Sequence, residues 1–252
     1  MKTTRILALI STLFFLTHCG HALDAGISSV KEVKSATTNL PHYRFWRGFK
    51  KPGVQNFEQG LAEIFMPATP ATHVKNGLLS YIVVTPKAEH ADYMPDEIAL
   101  VAYDSEEAYQ KAKATPEGQK YADMHWDYFD QARSASLVPA DISSQATFDL
   151  EIEKSYDVLG KRIDWQKGFT TFFVGIRKDG VTSQQFTQKL NQHVKDVANA
   201  FGNRQLSAYL IIVAENYEMA IQNWKSKAEF EKAMGTQEGQ AIAADAGSFM
   251  HM

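Results

Sequence analysis

The sequence predicts an α+β protein: two tandem copies of one β-α-β-β-α-β unit, their antiparallel sheets packed face to face within a single chain. Two observations lead there. Two blocks of sequence recur in the same order, and each half of the chain repeats one alternation of strand-like and helix-like patterning. The first block, Phe45-Trp46-Arg47-Gly48-Phe49-Lys50-Lys51-Pro52-Gly53-Val54, aligns with Phe172-Phe173-Val174-Gly175-Ile176-Arg177-Lys178-Asp179-Gly180-Val181 and is identical at 5 of 10 positions. The second runs from Ser105 to Ala122 and aligns with Ser226 to Ala243, identical at 8 of 18. Gly48 to Ser105 is 57 residues and Gly175 to Ser226 is 51, so the order and nearly the spacing are kept.

Each element follows from local pattern. Arg44 to Lys50 and Thr170 to Arg177 read as strands that end at a Pro-Gly or Asp-Gly turn. In the first half Asn56 is expected to cap a helix whose apolar stripe is Phe57, Leu61, Ile64 and Phe65, and Pro67 and Pro70 are expected to end it. In the second half Ser183 is the expected cap, and Phe186, Leu190, Val194, Val197 and Phe201 recur at steps of three and four. Leu78 to Thr85 matches Leu206 to Val213, and Glu97 to Tyr103 matches Glu218 to Trp224, giving two strands per half. The first half carries its extra length in loops, notably Ala88 to Asp96. Thr115 and Thr236 stand before the last helices as caps, and Pro116 suits a first helical position. Thr147 to Glu153 alternates as a fourth strand for the first half, while the second half shows no evident fourth strand. The order β-α-β-β-α-β is the ferredoxin-like arrangement. Its sheet has one face under helices and one bare. Two units placed bare face to bare face bury both, and are expected to enclose a ligand cavity between the sheets. Such a chain is expected to be a monomer.

The expected domains are a signal peptide at 1–22, a flexible leader at 23–40, repeat 1 at 41–155 and repeat 2 at 163–252. Lys2 and Arg5 precede an apolar run from Ile6 to Leu16 that is too short to span a bilayer. Cleavage after Ala22 would release a soluble exported protein. Leu16-Thr17-His18-Cys19 offers the alternative of a lipoprotein signal to 18, with lipidation at Cys19, although His18 is a poor fit. The expected location is therefore periplasmic or secreted, or the outer membrane through a lipid anchor. Cys19 is the only cysteine, so the body has no disulfide and no cysteine nucleophile. A net charge of −3 without a Lys/Arg-rich run gives no reason to expect nucleic acid as a partner.

The pattern Gly48-x-x-Lys51-Pro52-Gly53-Val54 before a Phe-bearing helix, then Ser105-x-x-x-Tyr109 and Thr115-Pro116-Glu117-Gly118-Gln119, resembles the dimeric α/β-barrel superfamily, in particular its EthD-like and related branches, over residues 42–252. The resemblance implies cofactor-free monooxygenase, lactone isomerase, lyase or haem-degrading activity, or none, because the fold hosts all of these. It also implies a histidine late in the first helix. His193 holds that place in the second half. In the first half Ile64 stands at the equivalent spacing, and His73 lies beyond two prolines.

The first half is the richer in polar aromatic and basic groups. His42, Arg44 and Trp46 share one face of its first strand by alternation. Arg47, Tyr121 and His125 become Val174, Ile242 and Ala246 in the second half. His125, Tyr81, Tyr103 and Arg44 are the candidate catalytic residues. Tyrosine or histidine can exchange a proton while a nearby cation steadies an enolate. His42, Trp46, Arg47 and His193 are the candidate ligand-binding residues. These suit a cofactor-independent lyase, isomerase or monooxygenase acting on an acidic or aromatic small molecule such as a uronate saccharide. A non-catalytic ligand- or partner-binding protein and a haem-binding or haem-degrading barrel are the alternatives. No cofactor is expected under the first reading, and haem through one histidine under the last. His73, His125 and His193 have no short metal-ligand spacing, and no metal is expected.

Overall fold

The structure is a computed structural model that describes residues 41–86 and 92–252. The expected signal peptide, the leader and Cys19 lie outside the described residues, as does part of the Ala88 to Asp96 loop. In the first unit, β1 (His42–Gly48) leads to a helix made of α1 (Phe57–Gly60), a π-helical segment (Leu61–Phe65) and α2 (Met66–His73). Then follow β2 (Leu78–Val84), β3 (Glu97–Tyr103), α3 (Glu106–Ala114), α4 (Pro116–Tyr128) and β4 (Ala135–Leu137). The connection carries β5 (Ala140–Asp141) and β6 (Lys154–Asp157). The second unit comprises β7 (Phe169–Arg177), α5 (Ser183–Phe201), β8 (Leu206–Val213), β9 (Tyr217–Trp224), α6 (Lys227–Gly235), α7 (Gln237–Phe249) and β10 (Met250–His251).

The two sheets repeat one topology. The first runs β2-β3-β1-β4; the second runs β10-β7-β9-β8 and is extended by β6 and β5. The register repeats as well, since Gly48 pairs with Glu97 as Gly175 pairs with Glu218. The strands β2 and β8 are irregular at the same place, between Leu78 and Ser80 and between Leu206 and Ala208. The missing fourth strand of the second unit is β10, two residues paired with β7.

The recurring second block is a helix–helix corner. Ser105 and Ser226 cap α3 and α6 through their hydroxyl oxygens, at 3.1 and 3.2 Å from the N–H groups of Ala108 and Glu229. Thr115 and Thr236 cap α4 and α7, each accepting at 3.0 Å from Gly118 or Gly239 and donating back to Ala112 or Ala233. The two glycines are required because a Cβ there would stand 2.1 or 2.2 Å from the carbonyl oxygen of Ala112 or Ala233. The repeated identities in this block therefore make a turn.

Strand alternation sorts side chains between two layers. Tyr43, Phe45, Ile98 and Leu100 of the first sheet meet Leu210, Ile212, Met219 and Ile221 of the second, and all are buried. The two bare faces bury each other, as expected. Where a ligand cavity was expected between them, the described residues place buried aliphatic and aromatic side chains from both sheets.

Other expectations need correction. Thr147 to Glu153 is not a strand. Side chains take its backbone donors: Leu150 N–H bonds Asn191 at 2.8 Å and Glu151 N–H bonds the Tyr156 hydroxyl at 2.8 Å. The fourth strand of the first sheet is β4, and β6 joins the second sheet instead. Thr182, not Ser183, caps α5, through a reciprocal bond with Gln185. Asn56 takes the cap position of α1 in a left-handed conformation without a side-chain cap bond. Pro67 and Pro70 do not end the first helix. Apart from Gly60, its buried residues are Phe57, Leu61, Phe65, Thr69 and His73, a step of four. That step overshoots an α-turn of 3.6 residues, and the π segment absorbs the excess. Ile64 consequently faces solvent. Among the described residues no helix is long and apolar enough to cross a membrane.

Two outcomes test this packing. Gly118→Ala and Gly239→Ala should each lower stability by about 2–3 kcal/mol in urea unfolding, as overpacking against backbone does. The Glu218 carboxyl, wholly buried on the helix side of the second sheet, is pushed up to about 8 by desolvation. A raised carboxyl keeps its full stability below the unfolded value and loses it as pH rises toward the folded value. The Tm advantage of Glu218→Gln over the parent should therefore grow between pH 5 and 8, each unit of displacement being worth roughly 1.4 kcal/mol.

Candidate functional site

The cavity lies inside the first unit, between its sheet and its own helices. It holds about 440 Å³, within the range of small-molecule sites. Trp46, Glu97, Ala99, Val101 and Tyr103 form its floor, facing the helices by alternation along β1 and β3. Phe65, Thr69 and His73 close it from the first helix, and Tyr121, His125 and Trp126 from α4. In the second unit the same layer is packed solid by Phe186, Leu190, Val194, Phe249 and Trp224. There α7 carries Ala246 and Gly247 where α4 carries His125 and Trp126.

Glu97 was not among the residues singled out from sequence, and it has the strongest chemistry in the cavity. It is 3% exposed. The Trp46 indole N–H donates to its carboxylate at 3.1 Å, and the Tyr81 hydroxyl, which lines the same cavity, also favours its charged form. Burial pushes the carboxyl up to about 7, and these two donors hold it from going higher. It therefore changes charge near neutral pH, as a general base should. Tyr81 is held well above its ordinary value by burial and then by the Glu97 charge, so it stays an O–H donor. Thr69, 2% exposed, extends the network. Its hydroxyl donates to the Phe65 carbonyl at 2.8 Å and lies 2.5 Å from the Tyr121 hydroxyl.

His125 sits among aromatic rings, with centroids at 4.7 Å for Tyr121 and 5.1 Å for Trp46 and Phe65. Its Nδ1 lies 2.8 Å from the Tyr121 carbonyl oxygen. A carbonyl only accepts, so Nδ1 carries the proton and Nε2 keeps a lone pair. Burial lowers the His125 pKa despite that bond. His73 is lowered as well, by burial and then by His125, and its buried Nδ1 has no hydrogen-bond partner. The rings of Tyr121, Trp46, Phe65 and Phe129 stand with centroids 4.7, 5.1, 5.1 and 5.9 Å from that of His125, a close packing that does not suit this histidine as a haem ligand. Among the described residues no cluster of three or more His, Cys, Asp and Glu could hold a metal.

Of the residues proposed from sequence, His125, Tyr81, Tyr103, Arg44 and Trp46 line this one cavity. Arg44 is at the far end of it from Glu97. Arg44 pairs with Val101, four residues along β3 from Glu97, which is about 13 Å of strand. His42 stands behind the wall, its ring 5.5 Å from that of Tyr109. Arg47 points to the opposite face of the sheet and pairs with Glu153 at 2.7 Å. His193 belongs to the second unit's packed layer, beside Phe249 and 3.8 Å from Asp245. Glu97 had one signal in the sequence: Glu218 repeats it. His73 was hidden by the two prolines, which the π segment accommodates.

No family model matches the chain, and no curated protein matches it. Solved structures do. A Fusobacterium nucleatum protein described as a candidate monooxygenase is 11% identical, with a TM-score of 0.47 over 86% of this chain and 90% of that one. An anthrone oxidase-like protein is 12% identical, with a TM-score of 0.41 over 85% and 88%. A Mycobacterium tuberculosis protein is 21% identical, with a TM-score of 0.30 over 40% of this chain and 93% of that one. The ferredoxin-like architecture follows from this chain's own strand order, repeated in its two sheets. At such identities and scores none of these solved structures assigns a chemistry.

Nitrogen-15 NMR of the imidazoles should find His125 as the neutral Nδ1–H tautomer at pH 7, titrating below 6.5. The Nε2–H tautomer, or a titration above 6.5, would contradict the arrangement.

Proposed function

We propose that the protein is a small-molecule enzyme of monooxygenase type that begins by taking a proton from an aromatic or acidic substrate, with Glu97 as base and without a bound cofactor. The observation that supports this is the Glu97–Tyr81 pair in a largely apolar cavity that only one of the two units keeps open. Ionised Glu97 accepts a proton from an activated C–H or hydroxyl. The Tyr81 O–H, which does not ionise there, donates to the oxyanion that forms. The neutral His125 offers a second proton acceptor through Nε2. Dioxygen is the oxidant. A CH₂ group becomes C=O while one oxygen atom enters the product and the other leaves as water, so no external reductant is needed. Protonation of the same anion at a different carbon would be isomerisation instead. We further propose that the protein acts after export, which the apolar run from Ile6 to Leu16 supports, and as a monomer, which the mutual burial of the two sheet faces supports.

Anthrone, whose CH₂ between a ketone-bearing ring system is acidic, is the first probe. Oxygen uptake above the uncatalysed rate should rise with pH through about 7, because the ionised carboxylate is the active form. Glu97→Gln should reduce it by about 10²–10⁴-fold, and Glu218→Gln should leave it unchanged. Parental activity in Glu97→Gln, or a profile without an inflection near 7, would sink this assignment.

A further inference from the structure

The two ends of the cavity differ in charge. Glu97 and Tyr81 occupy one end. At the other stand Arg44 and Lys113, with Tyr103 and Tyr109. The Arg44 guanidinium lies 4.3 Å from the centroid of the Tyr109 ring, which holds it over the cavity's end. Among the described residues neither Arg44 nor Lys113 has a hydrogen-bonding or ion-pairing side chain or carbonyl. The nearby titratable groups are His42, whose proton affinity burial and Arg44 lower while Glu106 and Glu107 raise it, and Tyr103, which burial keeps protonated; Asp123 shares the outer depression with Lys113. Among the described residues no carboxylate forms an ion pair with the Arg44 guanidinium. This end is also the mouth, because Lys113 and Ala122 line both the cavity and a shallow depression on the outer surface of α3 and α4. Between the ends the walls are aromatic and aliphatic.

We propose that the mouth is an anion subsite, and that the cavity takes an elongated monocarboxylate whose carboxylate is bound by Arg44 and Lys113 and whose apolar body reaches inward to Glu97. An uncompensated guanidinium beside an apolar cavity favours a carboxylate, which it can meet with two parallel N–H donors. The separation of about 13 Å along β3 sets the length: the acidic proton and the carboxylate belong at opposite ends of the ligand. A substrate carrying both on adjacent carbons, as a uronate does, cannot engage both ends at once. The inference rests on the cavity being the small-molecule site proposed above, and it assigns Arg44 to binding rather than to the reacting end.

The test is calorimetric binding of a hydroxynaphthoate that bears its hydroxyl and its carboxylate at opposite ends of the ring system, against the neutral counterpart with hydroxymethyl in place of carboxylate. The parent protein should bind the carboxylate roughly ten-fold more tightly. Arg44→Met should abolish that preference while leaving affinity for the neutral compound intact, Lys113→Met should reduce it, and Arg44→Lys should retain part of it. Circular dichroism establishes that each variant is folded. Equal binding of the two compounds by the parent, or an unchanged preference in Arg44→Met, overturns the anion subsite while the cavity reading stands. Failure of both compounds to bind the parent overturns the subsite and the cavity reading together.

Discussion

The two sheets each carry an apolar face that helices leave bare, and in this chain each is the other's cover. Tyr43, Phe45, Ile98 and Leu100 meet Leu210, Ile212, Met219 and Ile221 in one buried cluster. Fully burying an aliphatic or aromatic side chain of this size contributes roughly 1.5–3 kcal/mol, so this layer supplies much of the stability of both units. It also sets what can vary. A layer filled from both sides has no room for a ligand, so a binding site must lie on the other face of a sheet, under the helices. Because the second unit packs that layer solid, the first can leave its own hollow and still belong to a stable body.

The hollow changes the chemistry of the groups around it. Glu97 and Glu218 occupy the same register, each opposite a glycine of the first strand of its unit. Both are raised by desolvation, to about 7 and about 8. The difference is surroundings: Glu97 has Trp46 and Tyr81 as donors and an open volume beside it, and Glu218 has neither an indole donor nor a cavity. One carboxyl is therefore poised to exchange a proton with a guest, while the other makes the fold lose stability as pH rises from about 5 to about 8. The aromatic rings around His125 add to this by keeping a second ionisable group neutral.

Much of the fold was legible in the sequence and rather little of the site. The Thr115/Thr236 and Gly118/Gly239 identities could be read as a repeated unit because a cap and a close backbone approach each demand a particular residue type. The helix through Pro67 and Pro70 could not, since proline normally ends a helix and only the π segment lets this one carry Thr69 and His73 into the cavity. The location of the cavity was also out of reach. Alternation places His42, Arg44 and Trp46 on one face, and says nothing of whether helices or a second sheet cover it. His125, Tyr81, Tyr103 and Arg44 were found as polar groups the second half lacks or that lie on sheet strands. Glu97 repeats as Glu218, and nothing in the residue type or its spacing separates a carboxyl beside a cavity from one packed under helices.

Glu97 as a base poised near neutrality is the claim on which the rest of the functional account turns, and infrared difference spectroscopy of the protein during a pH titration reads it directly. The account predicts a protonated carboxyl C=O band that disappears with a midpoint near pH 7 and is missing from Glu97→Gln. A Glu97 carboxyl already ionised at pH 5 would mean that the cavity is too wet to desolvate it, and would remove the physical basis for proton abstraction at this site.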